Sequence, residues 1–402
     1  MFPPHRRHYL AAFTADFAVA SAFHVGPFYI FDHLGGGAGM SGLIGGLQAA
    51  GYAAILLLSA RFVSKVHNGL NLAVFGAAGF MLFWLAAPWI KSPLFFGACT
   101  VIGVTTMALF WAAMQSHLGN EPDPIIRGRR IAWYNISWCL GLAAGPLFSA
   151  PLYNLHHTLP FVLIAVTCAI TIALVLSLPK PAAAAPTIAD GEPESADARL
   201  SRIHLYYAWA ANGTGSLLVG VMRTVFPKRL EELSGADALA WFFETPGHIP
   251  ITAVTLFAWI SMVLYLVRTL ISFAMGSARF WQYRFAFLAV LQLVAGIAFY
   301  GLGTTHSIAV MIACCCVVGT AGAATFFASL SYSIADPVRK HGNASIHESM
   351  VGIGALVGSL SFGWLAEQYG TAWPFLHTPE IILALIIAQF ALYRWALKKW
   401  GQ

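Results

Sequence analysis

Long uncharged runs recur along the whole chain, and nothing else in the sequence limits its fold so strongly. Twelve of them stand at Tyr9–Phe31, Gly39–Ser59, Leu70–Trp89, Leu94–Gln115, Ile131–Tyr153, Leu159–Leu178, His204–Phe226, Ile251–Ala274, Phe285–Leu302, Ser307–Ile334, Ser345–Glu367 and Trp373–Leu397. Roughly 20 apolar residues in a helix match a hydrocarbon core about 30 Å thick. Only 9% of the 402 residues are charged, whereas a water-facing domain carries about a quarter. The runs therefore predict an all-α integral membrane protein of twelve transmembrane helices.

The net charge of +6 is topological rather than a nucleic-acid footprint. With the amino terminus placed in the cytoplasm, only Lys91, Arg223, Lys228 and Arg229 fall outside, and the other 18 of the 22 basic residues fall inside. That bias predicts both termini in the cytoplasm, with a bacterial cytoplasmic (inner) membrane as the expected location. All six cysteines lie within apolar runs, so they read as small buried hydrophobes and not as a disulfide or zinc framework. No cleavable signal peptide is expected, because the first run is long enough to span.

Residues 179–203, rich in Ala and Pro and then in acid, cannot bury an apolar face and are expected to form a cytoplasmic linker. They separate an amino-terminal six-helix half (1–178) from a carboxy-terminal one (204–402). A second long connection contains Leu230–Phe243, expected as a short interfacial helix. The halves carry traces of one repeat. Ser59-Ala60-Arg61-Phe62 and Ser277-Ala278-Arg279-Phe280 occupy the same connection of each half, and Gly141-x-x-x-Gly145 corresponds to Gly354-x-x-x-Gly358. Glycines four apart share a helix face and admit a neighbouring helix.

On these residues the chain resembles the major facilitator superfamily over essentially its whole length. The resemblance implies two pseudo-symmetric six-helix bundles around a central cavity, and a transporter rather than an enzyme. The family's loop between spans 2 and 3 reads Gly-x-x-x-Asp-Arg-x-Gly-Arg-Arg/Lys. Here only the basic positions Arg61 and Lys65 survive, with Leu56, Ala60 and Val63 at the other key places. The second copy keeps Arg279, with Ala274, Ala278 and Trp281 beside it. Gly141-x-x-x-Gly145-Pro146 resembles the family's antiporter motif, and Pro146 removes a backbone donor so that the span can bend. Gly358 is followed by Ser359 instead, and segment 4 lacks the embedded Arg that resembles a proton-coupling element in many members.

Ionisable groups inside spans are candidates for function by default, because a charge at the bilayer centre costs several kcal/mol. Asp16 and His24 stand eight residues apart in the first span. That is about 12 Å along a helix and within about 80° of one face, which suits a proton path or a polar substrate. Gln48, Gln115, Asn212 and Gln292 are further candidates for that path, with interhelical hydrogen bonding as their alternative role. Asn135 and Glu348 hold matching places in segments 5 and 11 and are expected at a gate. Arg223, near the outer end of segment 7, is expected to snorkel to the interface.

Trp84, Trp89, Trp373 and Trp400 stand near predicted interfaces, where anchoring accounts for them. Trp111, Trp138, Trp209 and Trp259 lie deeper, and Trp111 is a candidate cavity wall for a bulky, partly apolar substrate. Metal-protease spacings and phosphate loops are absent from the sequence, so a membrane enzyme is disfavoured. No cofactor, metal or nucleic-acid partner is expected; the expected partners are a small-molecule substrate, membrane lipids and protons as coupling ion, acting on a monomer. The reading is a secondary transporter working by alternating access, with efflux by proton antiport as its first form. Uptake symport or facilitated uniport of a metabolite is the alternative, and a non-transporting receptor or assembly partner on the same fold is the alternative of another class.

Overall fold

Alternating apolar runs and short polar connections fold the described residues into twelve long α-helices and one short one, with a single 3-10 turn at Ala87–Trp89. The computed structural model describes residues 4–62, 69–119, 124–179, 196–335 and 340–400. The first half contains α1 (Pro4–Leu34), α2 (Ala38–Phe62), α3 (Gly69–Ala86), α4 (Pro93–Gly119), α5 (Pro124–Leu155) and α6 (Leu159–Leu176). The second contains α7 (Ala196–Thr224), the short α8 (Phe226–Gly235), α9 (Ala253–Ser277), α10 (Phe285–Thr304), α11 (Ile308–Ile334), α12 (Lys340–Tyr369) and α13 (Trp373–Trp400). No strand forms among the described residues; Ala240 and Ser307 make one isolated bridge. Below, the terminal end is the face where α1 begins and α13 finishes, and the far end is the opposite face.

Among the described residues, ten helices carry a segment long and apolar enough to cross a membrane. The two that fall short, α1 and α7, are central. Ala11, Ala12, Ala15, Ala18, Ala22 and Val25 of α1 are fully buried, as are Tyr207, Ala208, Ala211 and Val221 of α7. A helix ringed by other helices meets little lipid, so it tolerates polar residues that an outer helix cannot. The outer helices show the reverse pattern, exposing Phe75, Leu82, Leu94, Phe148, Leu270, Phe273 and Ile387.

The repeat is visible in packing. A Cβ on Gly141 would strike the Phe13 carbonyl and one on Gly145 the Phe17 carbonyl, so α5 lies backbone to backbone on α1. In the second half a Cβ on Gly354 would strike the Gly213 carbonyl and one on Gly358 the Leu217 carbonyl, placing α12 equally close to α7. Small residues let dispersion contacts form between main chains where no hydrophobic effect separates helix from lipid.

Two seams join the halves. Along α2 and α12, Gly42 faces Ser359 and Gly363, Gly46 faces Leu356 and Leu360, and Gly352 faces Ala49 and Ala53. Along α5 and α9, Asn154 donates to Thr255 Oγ1 at 3.0 Å and accepts from Thr252 Oγ1 at 3.2 Å. At the far end the Glu367 carboxylate accepts from the Gly39 amide at 2.9 Å. It sits on the amino terminus of α2, where free N–H groups and the helix dipole favour an anion.

Two details depart from the sequence expectations. α7 begins at Ala196, inside the stretch expected as linker, and residues 180–195 lie outside the described residues. The interfacial helix covers 226–235 rather than 230–243, because α7 runs almost directly into it and Asp237, at φ 50°, turns the chain away. Arg229 anchors α8 by donating to the last carbonyls of α10, Leu302 at 3.0 Å and Gly303 at 2.6 Å.

Candidate functional site

Asp16 and His24, one above the other on α1, mark two layers of polar groups in the middle of the molecule. In the layer nearer the terminal end, the Trp111 indole of α4 donates to the Asp16 carboxylate at 3.2 and 3.3 Å. The Trp111 ring meets Tyr52 of α2 edge to face, with centroids 5.7 Å apart. Tyr52 in turn donates to Glu348 Oε2 of α12 at 2.7 Å. Tyr134 of α5 brings a buried hydroxyl that makes no hydrogen bond, within electrostatic reach of both carboxylates. Asp16 and Glu348 lie within electrostatic reach of each other. Asp16 is only 4% exposed and Glu348 is half-buried, so two acids from opposite halves lie in one neighbourhood with three aromatic side chains.

In the layer nearer the far end, His24 is buried and lies flat against Phe257 of α9, with ring centroids 5.3 Å apart. Neither imidazole nitrogen completes a hydrogen bond of good geometry, although the Val254 carbonyl is within polar reach. Two small adjoining voids, each partly open, flank this layer. The first is walled by Ser41, Gln48, Trp84 and Phe96, the second by His24, Pro146, Phe257 and Tyr265, and both include Phe23 and Arg223.

Arg223 therefore points into the bundle instead of snorkelling outward, which corrects the sequence expectation. A helical Cβ leans toward the helix amino terminus. At the carboxy-terminal turn of α7 that direction leads into the bundle. Its guanidinium carbon sits 4.0 Å from the centroid of the Phe23 ring, and Nη2 donates to the Gly45 carbonyl at 3.3 Å. Trp84 is likewise interior at 1% exposure instead of an interfacial anchor, because Gly26 and Gly103 leave room for its ring. Trp259 is exposed, as a lipid-facing residue deep in its span would be.

A third polar group belongs to the second half. Asn212 Nδ2 approaches the His347 carbonyl at 3.2 Å and its Nδ1 at 3.3 Å, while Ser329 meets that Nδ1 at 2.8 Å. His347 Nε2 is buried without a partner, and the ring stands edge-on to Phe326. Gln292, expected on the pathway, is elsewhere: it exchanges two amide hydrogen bonds with Gln389 at 2.8 and 2.9 Å, joining α10 to α13. An amide matched by an amide has little left to offer a solute. Asn135 accepts from Trp138 on its own helix at 2.9 Å. Arg279 is exposed at the terminal end. Lys65 lies outside the described residues, as do the side chains of Arg61 and Gln115.

Tyr52, Tyr134, His347 and Phe23 were not singled out from the sequence. A lone Tyr in the Gly, Ala and Leu of segment 2 and a His beside Glu348 were the available signals; nothing local distinguishes Phe23 from the chain's other 28 phenylalanines.

A family model described as Major Facilitator Superfamily matches residues 9–346. A sequence search of curated proteins gives no significant match. Among solved structures the chain is similar to a mutant of the nucleoside transporter NupG, at 13% identity and TM-score 0.73, with 97% of this chain and all of that one covered. A bacterial homologue of the human lysosomal transporter Spinster, in an inward-facing unoccupied conformation, gives 13% and 0.73 with 100% and 98% covered. The human organic anion transporter MFSD10 gives 16% and 0.67 with 98% and 100% covered. At such identity these likenesses concern the fold.

Proposed function

The chain belongs to the Major Facilitator Superfamily, as a multi-pass membrane transporter of a small solute, and from that premise we propose a secondary transporter that works by alternating access and exports its solute by proton antiport. The observation that carries the proposal is the layer of Asp16 and Glu348. A buried carboxylate is cheap to hold when protonated and costly when ionised beside another acid. Two acids from different halves thus exchange protons at an energy that depends on how far apart the halves are. With the halves together, Tyr52 and Trp111 satisfy one set of lone pairs and mutual repulsion favours retaining a proton. When the halves part at the terminal end, water reaches both groups and release becomes favourable. That is the linkage an antiporter needs, since one conformational change then biases both proton and solute.

The glycine-proline turn of α5 supports the direction. Pro146 withholds an N–H in mid-helix, Ser21 of α1 donates to the Gly145 carbonyl at 3.1 Å, and Pro146 walls the second void. The stretch thus couples α1, which carries Asp16, to the wall of the solute space. The bias of basic residues supports placing the terminal end in the cytoplasm.

A screen of radiolabelled small solutes in sealed liposomes tests the reading. A gradient with the lumen acidic should drive accumulation in the fraction of molecules whose terminal end faces outward, and collapse of that gradient should abolish it. Accumulation that requires the opposite gradient would replace antiport by symport; flux indifferent to pH would leave a uniporter.

A further inference from the structure

We propose that the solute is a small organic anion, held by its carboxylate or phosphate on Arg223 with its apolar part against Phe23 and the neighbouring aromatic walls. The inference rests on the transporter reading and names the solute class of the same central space.

Arg223 carries a charge that lacks a counter-charge among the described residues. An arginine stays protonated under all ordinary conditions. Arg223 lies between α7, α1 and α2, and no carboxylate pairs with it among the described residues. Neither void that it borders has an Asp or Glu in its wall. Of the five N–H donors of a guanidinium, the recorded hydrogen bond uses one, to the Gly45 carbonyl. The Phe23 ring lies 4.0 Å from the guanidinium carbon of the half-buried Arg223, an attraction that helps keep the cation in place without neutralising it. Chains do not keep charges away from water and unpaired for stability, because removing both the charge and its demand for partners is usually the more stable choice.

The geometry selects the ligand's chemistry. A planar fork of spare N–H groups matches two oxygens of a carboxylate or phosphate and offers nothing to a cation. Gln48 and Ser41 add neutral hydrogen-bonding groups on the α2 side, and Phe96, Trp84, Phe257 and Tyr265 supply flat apolar walls. Arg223 also touches both moving parts, since it belongs to α7 of the second half while Phe23 and Gly45 belong to the first. An anion bound there would draw the halves together, one layer beyond the Asp16–Glu348 acids.

Thermal unfolding of the purified full-length protein in detergent tests this without any gradient, so failure of proton coupling leaves the result readable. The probes are 1-naphthoate, phenyl phosphate and succinate, with 1-naphthamide and 1-naphthylmethylammonium as neutral and cationic counterparts. At least one anion should raise Tm by a few degrees through preferential binding to the folded state, while the amide and the cation should not. Arg223→Gln should weaken that anion by about tenfold or more, and Arg223→Lys by less, as expected for losing a charge-assisted fork. Equal stabilisation by the amide, or no stabilisation by any anion, would overturn the proposal, and both readings use the wild-type protein alone. Displacement of the anion by phosphatidylglycerol at equal concentration would assign the guanidinium to a lipid headgroup and also overturn it.

Discussion

Imidazoles at the far end show how single side chains respond to the medium. His33 closes α1 while His156 and His157 lie between α5 and α6; His157 is 4.1 Å from His33 and 4.4 Å from His156, centroid to centroid. Tyr29 and Tyr153 pack around them, and Tyr153 donates to Asp32 at 2.8 Å. Burial, then the charges of His33 and His156, push the His157 pKa below its ordinary 6.5. A lowered pKa means that the folded protein binds this proton less readily than the unfolded chain. The contribution to stability is therefore complete above about pH 6.5 and declines as pH falls through that value toward the folded pKa. Melting curves between pH 7.5 and 5 should show Tm falling with acidity, and His33→Asn should flatten the fall by removing one repelling neighbour. An unchanged slope in His33→Asn would exclude the cluster as its source. Arg223 illustrates the limit of residue-scale reading from sequence. Its position near a helix end suggested snorkelling, but the lean of a helical Cβ makes inward and outward ends inequivalent, and only the helix direction within the bundle settles which applies.

Helices α2 and α12 hold the main seam, and their closeness depends on glycine. A Cβ on Gly42 would meet the Ser359 carbonyl and come within 2.7 Å of the Gly363 Cα. Backbone atoms cannot swing aside as a flexible side chain can, so Gly42→Val should part the helices at the far end rather than be absorbed. Glu367, on the amino terminus of α2, holds that same end. The buried Ser41, replaced by Cys as a reporter, should react with an impermeant maleimide several-fold faster when Gly42→Val is added, without loss of the folded peak in size exclusion. No change in labelling would mean that the seam does not control access. Elements of this kind were partly legible. The paired glycines of segments 5 and 11 were visible as a repeat, since four-residue spacing marks a helix face whatever lies opposite. The glycines of α2 were not assigned, because their partner is in the other half, and a single sequence does not say which helices meet.

Across the whole molecule, the twelve apolar runs foretold the long helices because the bilayer imposes a length. The polar site was only half legible. Asp16, His24 and Glu348 stand out as costly residues wherever they point, but Tyr52, Tyr134 and Phe23 are ordinary in membrane helices and gain meaning only from what they face. Gln292 failed for the complementary reason: Gln389 sits 97 positions away and satisfies it. With contacts along α2 and α12 and at the ends of α5 and α9, the structure has its halves together around two small voids, so passage of a solute requires them to separate. The account's central claim is that the separation is linked to protons through Asp16 and Glu348. The most direct measurement compares two modes of flux in liposomes, gradient-driven accumulation and gradient-free exchange of labelled for unlabelled solute. For Asp16→Asn and Glu348→Gln the account predicts that accumulation falls by about tenfold or more, the scale of losing a positioned proton-transfer group, while exchange persists. Accumulation at the wild-type level in both variants would contradict it.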